Sequence, residues 1–240
     1  MKRIIAFIMI LLTLLGAVSC NGNGQSRENN QIGDDGYWYV DGEKTNVKAN
    51  KYDDPNNPQG LEFHLQPDGS YYVAAGSAKL LSRIVIPGSY NGRAVSGIRN
   101  EGFAGCDTLK EIVVKAALIE IGDKAFSGCI NLEFFGFNHE LQVIGESAFK
   151  NCEKLLEVRL YANVREIGVN AFSTCGGIKR IYISKGLVEA MIGREAFPAS
   201  GGGIIYHFDG DASEWTAIRT NNTGTGLPIN PNRWVSDLDE

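Results

Sequence analysis

Hydrophobic residues recur along the middle of the chain at a constant interval of 23 residues. One column of the repeat contains Ile, a second Phe, a third Cys and a fourth mostly Leu. The columns are Ile98, Ile121, Ile144 and Ile167; Phe103, Phe126, Phe149 and Phe172; Cys106, Cys129, Cys152 and Cys175; and Leu109, Leu132, Leu155 and Ile178. Because one unit of this length buries only one face, the pattern predicts a stack of coils that share a continuous core.

Each unit contains a predicted strand and a predicted turn. Two apolar residues two positions apart follow the Leu column, as Ile112 and Val114 do in the second copy, and this spacing is typical of a strand. The segment from Ile121 to Cys129 predicts a short helical turn. The Gly after each Ile, such as Gly122, suits either a positive φ or a close backbone approach. The predicted fold class is an α/β repeat solenoid with one strand and one short helical turn per 23-residue coil.

An open stack exposes apolar faces and strand edges, so both ends need caps. The predicted capping elements are a strand at residues 37–40, a β-hairpin over residues 61–75, a strand over residues 204–208 and a helix over residues 211–218 with a Ser or Asp cap. We expect Trp215 in that helix to close the last coil. From Thr220 onward the sequence predicts no element.

The repeated string resembles a known bacterial repeat. Ile-Gly-x-x-Ala-Phe-x-x-Cys-x-x-Leu, which recurs within residues 84–198, is similar to the BspA-like leucine-rich repeat, a subclass found in bacterial surface proteins. The fifth coil departs from the string, because two extra residues separate Leu187 from Ile192, and we interpret it as an atypical terminal repeat. The resemblance implies a leucine-rich repeat fold and an adhesin-like protein-binding surface protein, and not an enzyme.

The first twenty residues predict export. Two basic residues precede an apolar run over residues 4–15, which is shorter than the roughly 20 apolar residues that a helix needs to span a bilayer. The stretch from Leu14 to Cys20 has small residues before a cysteine and resembles the lipobox of bacterial lipoproteins. That resemblance implies lipidation of Cys20 and a lipid anchor in the outer membrane, with the chain exposed at the cell surface. The alternative is an ordinary signal peptide that happens to end in Cys.

The segment after Cys20 is rich in Asn, Gly and Gln and has almost nothing apolar to bury, so it predicts a flexible tether. The predicted organisation is a lipoprotein signal peptide at residues 1–19, the tether at 20–36, an N-terminal β cap at 37–82, BspA-like repeats at 83–200, and a C-terminal cap and tail at 201–240.

Charge and residue types exclude several functions. Removal of residues 1–19 leaves 21 basic residues against 28 acidic ones, a net charge of −7, which disfavours binding to nucleic acid. The three histidines, His64, His139 and His207, lie in different parts of the chain, and nothing in the sequence supplies a catalytic partner. No phosphate-binding loop is present. We therefore expect no catalytic residues and no cofactor, and we expect a monomer.

The four repeat cysteines, Cys106, Cys129, Cys152 and Cys175, allow three interpretations. A ladder of buried free thiols is favoured, because in-register side chains on successive coils point the same way. One or two disulfides are the alternative that an oxidising compartment permits. A zinc site is disfavoured, because zinc ligands come in close pairs such as Cys-x-x-Cys and the chain has none.

The outward positions of the predicted strands, which include Glu157 and Ser184, are the candidate binding surface. Exposed aromatic residues beside arginines are typical of interface hot spots. The predicted contact patch consists of Phe134, Arg159, Tyr161, Arg180 and Tyr182. The alternative is that these are ordinary sheet residues chosen for strand propensity. The predicted partner is a host, matrix or envelope protein; a periplasm-facing scaffolding role and a carbohydrate-binding accessory role stay open.

Overall fold

The computed structural model describes residues 30–32, 37–40, 43–48, 60–198, 203–228 and 233–234. The chain divides into two compact units, residues 1–58 and residues 59–240. The predicted signal peptide, Cys20 and most of the predicted tether lie outside the described residues. Among the described residues, no helix has the length and apolar character needed to cross a membrane.

The first unit contains a three-stranded antiparallel sheet. Its strands are β1 (Asn30–Ile32), β2 (Tyr37–Val40) and β3 (Glu43–Lys48), in the order β1-β2-β3. Strand β2 coincides with the strand predicted at residues 37–40. Strand β1 lies inside the segment for which the sequence predicts a flexible tether, and there the structure differs from the prediction. Backbone pairing with β2 needs no apolar side chains, so the polar composition of this segment did not reveal it.

The second unit contains a row of parallel strands, here called the front strands. They are β6 (Arg83–Ile86), β9 (Glu111–Val114), β11 (Phe134–Phe135), β13 (Glu157–Leu160), β15 (Arg180–Ile183), β17 (Ile205–Phe208) and β18 (Arg233–Trp234). They form two sheets, β6-β9-β11 and β13-β15-β17-β18. Residues at equal repeat positions pair across the strands, as Glu157 does with Arg180.

A second row, here called the side strands, forms one sheet. Its members are β4 (Glu62–Leu65), β5 (Tyr71–Ala74), β8 (Arg93–Ile98), β10 (Glu120–Ile121), β12 (Val143–Ile144), β14 (Glu166–Ile167) and β16 (Met191–Ile192), and β7 (Ser89–Tyr90) pairs with β8. The predicted solenoid is confirmed, and the structure adds this second, two-residue strand at the Ile column of successive coils. Two residues are too few to show a period of two in a sequence.

The turn between the Ile and Cys columns is tightly wound. In the coil that begins at Ile121, the Ala125 N–H donates to Gly122 O and the Cys129 N–H donates to Phe126 O, which are the three-residue steps of a 3-10 turn. Of the two reasons offered for the Gly that follows each Ile, close backbone approach is the right one. A Cβ on Gly145 would lie 2.5 Å from the Asp123 N of the preceding coil.

The core is the stack of repeat columns. The four Ile, Phe, Cys and Leu columns are all buried, and so are the core positions of most front strands, such as Val158 and Leu160 in β13, whereas Val114 and Phe137 are only partly buried. The rings of the Phe column stack nearly parallel, with centroids 5.1 to 6.0 Å apart from Phe103 through Phe197. Continuous stacking from coil to coil removes apolar area from water that no single coil could bury.

The repeat cysteines are free and buried, as the favoured interpretation predicts. Each of three thiols donates to the carbonyl of the Phe one coil earlier: Cys129 Sγ to Phe103 O at 3.0 Å, Cys152 Sγ to Phe126 O at 3.2 Å and Cys175 Sγ to Phe149 O at 3.0 Å. The column therefore adds a ladder of weak hydrogen bonds between coils.

The predicted hairpin of the N-terminal cap is formed by β4 and β5. Its turn contains Gly69 at φ +87°, and the Gly69 N–H donates to Gln66 O at 3.0 Å. Strand β5 runs parallel to β8 and extends the side sheet beyond the first coil. A half-buried cluster of Phe63, Tyr71 and Tyr90 packs beside it, with the first and last rings stacked at 3.9 Å.

The C-terminal cap combines β17 with a single helix, α1 (Ala212–Asn221). Asp211 is its N-cap residue and forms a reciprocal capping box with Glu214, which satisfies free N–H groups of the first turn. Trp215 is buried, and its ring lies 5.1 Å from the ring of Phe208. The helix thus places an apolar side chain against β17.

The segment after α1, for which the sequence predicts no element, closes the edge of the side sheet. The side chain of Asn222 accepts from the Ile192 N–H at 2.7 Å and donates to Ala190 O at 3.1 Å. Farther on, Gly224 O accepts from the Glu195 N–H at 2.7 Å. These contacts replace the hydrogen bonds that another coil would make.

Candidate binding face

The predicted contact residues lie on the outward side of the front strands. Phe134 begins β11, Arg159 lies in β13, Arg180 and Tyr182 lie in β15, and Tyr161 follows β13. Arg159 and Tyr182 pair directly across β13 and β15. The structure therefore brings Arg159, Arg180 and Tyr182 together on two adjacent strands, with Tyr161 directly after the first of them.

Phe134 stands apart because the front strands are interrupted beside it. The Phe137 N–H donates to Phe135 O at 3.1 Å, so a γ-turn at Gly136 ends β11 after two residues. Phe135 packs edge-to-face on two rings of the Phe column, which anchors this coil inward. The side chain of Phe134 is 52% exposed and faces solvent.

Two arginines converge on one carboxylate at the centre of the face. Arg159 Nε donates to Glu157 Oε1 at 2.7 Å, and Arg180 Nε donates to Glu157 Oε2 at 2.9 Å. Burial alone would lower the pKa of Arg159, but the hydrogen bond and charge of Glu157 outweigh it, and its pKa is raised. The separate hydrogen bond from Arg180 to Glu157, together with the charge of Glu157, raises the pKa of Arg180. Both guanidinium groups stay charged at any physiological pH.

Tyr182 is held between two other side chains. The guanidinium carbon of Arg159 lies 4.4 Å from the centre of its ring. The ring of His207, on β17, stacks on it at 4.3 Å with an angle of 16° between the planes. The guanidinium group of Arg159, the ring of Tyr182 and the ring of His207 thus stack in that order. This stacking fixes the position of Tyr182 and orients Arg159.

Two histidines that sequence reasoning treated as unrelated pack against this patch. His207 packs on Tyr182, and the ring of His139 stacks on that of Tyr161 at 3.8 Å. The repeat could have shown the position of His207. This histidine occupies the repeat position of Tyr182 in the next coil, once the two extra residues of the fifth coil are counted. Glu157 was placed in an outward column of the predicted strands but left out of the contact patch.

One outward position behaves differently from the prediction. Ser184, placed in an outward column, is only 2% exposed. Its hydroxyl accepts from the Gly186 N–H at 3.3 Å and caps the 3-10 helix Lys185–Glu189 that contains the extra residues of the fifth coil. At the other end of the front strands, Arg83 Nε donates to Glu111 Oε2 at 2.9 Å.

Across the second unit and the strands of the first unit that the structure describes, no set of three or more His, Cys, Asp or Glu side chains could hold a metal ion. The face is instead a layer of paired charges and stacked rings, which is an arrangement suited to contact with another molecule.

The fold and face define the class of leucine-rich repeat solenoids. The family model described as "BspA type leucine rich repeat region" matches residues 78–201 in six copies, which is just over half of the chain. The chain therefore belongs to the BspA type leucine-rich repeat family, as its repeated string indicates.

Solved structures of bacterial proteins share the fold. A leucine rich cell surface protein of Faecalibacterium prausnitzii is 23% identical with a TM-score of 0.57, over 67% of this chain and 41% of that one. A leucine-rich repeat protein of Bacteroides ovatus is 28% identical with a TM-score of 0.51, over 61% and 39%. The pneumococcal vaccine antigen PcpA is 17% identical with a TM-score of 0.53, over 74% and 48%.

The matched region spans about two fifths of the first two of those longer chains. A search of the curated proteins found no match. The likeness of the F. prausnitzii and pneumococcal proteins shows the repeat architecture alone, because their sequences are less than a quarter identical to this one.

Proposed function

We propose that this chain is a cell-envelope lipoprotein that binds a protein partner, in the manner of an adhesin, through its front face. Leucine-rich repeat proteins are generally binding modules without catalytic activity, and one relative is described as a cell surface protein. The observation that carries the proposal is the clustering of Arg159, Arg180 and Tyr182 around Glu157. The exposed Phe134 occupies the repeat position of Glu157 one coil earlier.

Arginine and aromatic residues in this arrangement are the residue types that dominate protein interfaces. The stacking of Tyr182 between Arg159 and His207 also restrains its side chain before any partner arrives, so binding loses less conformational entropy. The face is thus preorganised for contact with another protein.

The alternative of a carbohydrate-binding accessory protein fits less well. A sugar ring stacks on an aromatic face, and both faces of Tyr182 are already covered. A periplasm-facing scaffold would use the same front face on a different partner. These two roles differ from the proposed one in partner and location, and not in the surface that makes contact.

The test is binding of the full-length chain to a panel of purified matrix proteins and cell-envelope proteins, with cell-wall polysaccharide in parallel. We expect saturable binding to at least one protein of the panel, reduced about tenfold or more by Phe134→Ser, because hot-spot truncation costs at least about 1.4 kcal/mol. Tyr182→Ser is a poorer variant, because it also removes the stacking with Arg159 and His207.

The matched control is Met191→Ser. Met191 lies on β16 in the side sheet and is 66% exposed, so the substitution removes a similar apolar area from another surface. Equal affinities for the wild type and Phe134→Ser, or binding to polysaccharide alone, would contradict the proposal.

A further inference from the structure

The arginine pair keeps hydrogen-bonding capacity for a further anion. Glu157 accepts one Nε–H on each carboxylate oxygen. Within the part of the chain that the structure describes, the Nη atoms of Arg159 and Arg180 make no hydrogen bond. A guanidinium has five N–H donors, so each arginine can bind a second carboxylate through its outer nitrogens.

The charge at this position is opposite to that of the chain. Two guanidinium groups and one carboxylate leave a net charge of +1 at the centre of the face, whereas the whole chain carries −5. The side chains of Arg159 and Arg180 are 40% and 51% exposed, so a ligand can reach them. An acidic group is therefore attracted to this point and repelled by much of the remaining surface.

An apolar contact lies within reach of the same ligand. Phe134, Glu157 and Arg180 occupy one outward repeat position on three successive coils, 23 residues apart, and Glu157 pairs with Arg180 across β13 and β15. The Leu156 N–H donates to Glu133 O at 3.1 Å, so the two coils keep the usual strand spacing next to Phe134. Two coil steps therefore separate Phe134 from Arg180 by about 10 Å. An extended peptide covers that distance in about three residues.

We propose that the front face recognises an acidic segment of a partner protein. Its carboxylate binds the outer nitrogens of Arg159 and Arg180, and an apolar side chain about three residues away in an extended segment packs on Phe134. This inference rests on the proposed function and specifies the chemistry of its partner. Glu157 is a positioning residue in this site, because its two hydrogen bonds orient the guanidinium groups.

The experiment is an NMR titration of the full-length chain with two short peptides. The probes are acetyl-Leu-Ser-Gly-Glu-amide and the uncharged counterpart that ends in Gln-amide. We expect the Glu peptide to shift the arginine Nε–Hε resonances and to bind about tenfold more tightly than the Gln peptide, because a charge-assisted hydrogen bond is worth at least about one order of magnitude in affinity.

Arg180→Gln should remove that tenfold preference while leaving the weak binding of the Gln peptide unchanged. The matched control is Lys179→Gln, which makes the same change of charge one residue away on an exposed side chain. Phe134→Ser should weaken both peptides by the same factor. An unchanged thermal unfolding curve for Arg180→Gln would show that the variant is folded.

Equal affinities for the two peptides, an absence of arginine shifts, or equal effects of Arg180→Gln and Lys179→Gln would overturn the inference. Binding of a sulfated polysaccharide such as heparin without binding of the Glu peptide would also overturn it, since the site would then be one for sulfate. Loss of panel-protein binding in Phe134→Ser but not in Arg180→Gln would leave the proposed function standing. It would overturn only the inference that a partner carboxylate binds the two arginines.

Discussion

Two of the buried repeat cysteines, Cys129 and Cys152, are held in their protonated form by their surroundings. Contact with the Cys175 thiol, and then burial, raise the pKa of Cys152 well above its usual value, and contact with Cys106 and burial do the same for Cys129. These thiols therefore stay protonated and unreactive in the folded chain, although the predicted compartment is oxidising.

The thiols give the chain a specific pH dependence. Below about pH 8.5 a thiol is protonated in both the folded and the unfolded chain, so it adds no pH dependence. Above that pH Cys129 and Cys152 lose their protons only in the unfolded chain, because their pKa values are raised in the folded one. The free energy of unfolding then falls by up to about 1.4 kcal/mol per pH unit for each of these two thiols. Cys152→Ala should make this fall less steep between about pH 8.5 and 9.5 in urea unfolding. Parallel curves for the variant and the wild type would contradict the account.

Close packing of backbone between coils makes one glycine indispensable and another replaceable. A Cβ on Gly145 would lie 2.5 Å from Asp123 N, whereas a Cβ on Gly176 would have nothing within 4 Å. Gly145→Ala should lower the free energy of unfolding by about 3 kcal/mol, through overpacking against rigid backbone. Gly176→Ala should change it by less than about 0.5 kcal/mol. Both free energies are measured by urea unfolding. Similar losses in the two variants would show that the close approach of the backbone at Gly145 does not determine stability.

At the scale of elements, the ends of the stack differ in how their edges are closed. The hairpin adds two regular strands, β4 and β5, to the side sheet. Because side chains alternate along a regular strand, this hairpin can be predicted from the sequence. The other edge is closed by the amide side chain of Asn222 and by backbone of the polar tail. A cap made of single hydrogen bonds leaves no periodic pattern, which is why the sequence predicted no element there.

Asn222→Ala should destabilise the chain by about 2 kcal/mol, because it leaves the buried Ile192 N–H and Ala190 O without their partners. Thr223→Ala, at the exposed neighbouring position, is the control. Thermal unfolding should separate the two variants, and amide exchange at Ile192 should accelerate in the first alone. An unchanged exchange rate would mean that Asn222 does not cap β16.

The sequence predicted those elements whose apolar residues recur at a fixed interval. The front strands follow from the spacing of pairs such as Ile112 and Val114, and the solenoid follows from the 23-residue interval. The break after β11 could not be predicted, because Phe135 and Phe137 fit the apolar pattern while the γ-turn between them depends on how their rings pack. The five candidate contact residues were placed on a common face, but the links through Glu157 and His207 depend on side-chain geometry.

At the scale of the whole molecule, the proposed role depends on location. If Cys20 carries a lipid and the protein lies outside the cell, protease added to intact cells should remove it, and Cys20→Ser should move it from the membrane fraction to the soluble fraction. The measurement is immunodetection after protease treatment, with a periplasmic protein as the intactness control. Protection until the outer membrane is opened would favour the periplasm-facing scaffold.

Hydroxyl-radical footprinting of the complex with a panel protein tests the use of the front face most directly. Phe134 and Met191 are both well exposed, at 52% and 66%, and they lie on different sheets. We expect the bound partner to lower the oxidation of Phe134 and to leave that of Met191 unchanged. Protection of Met191 with unchanged oxidation of Phe134 would contradict it and assign binding to the side strands.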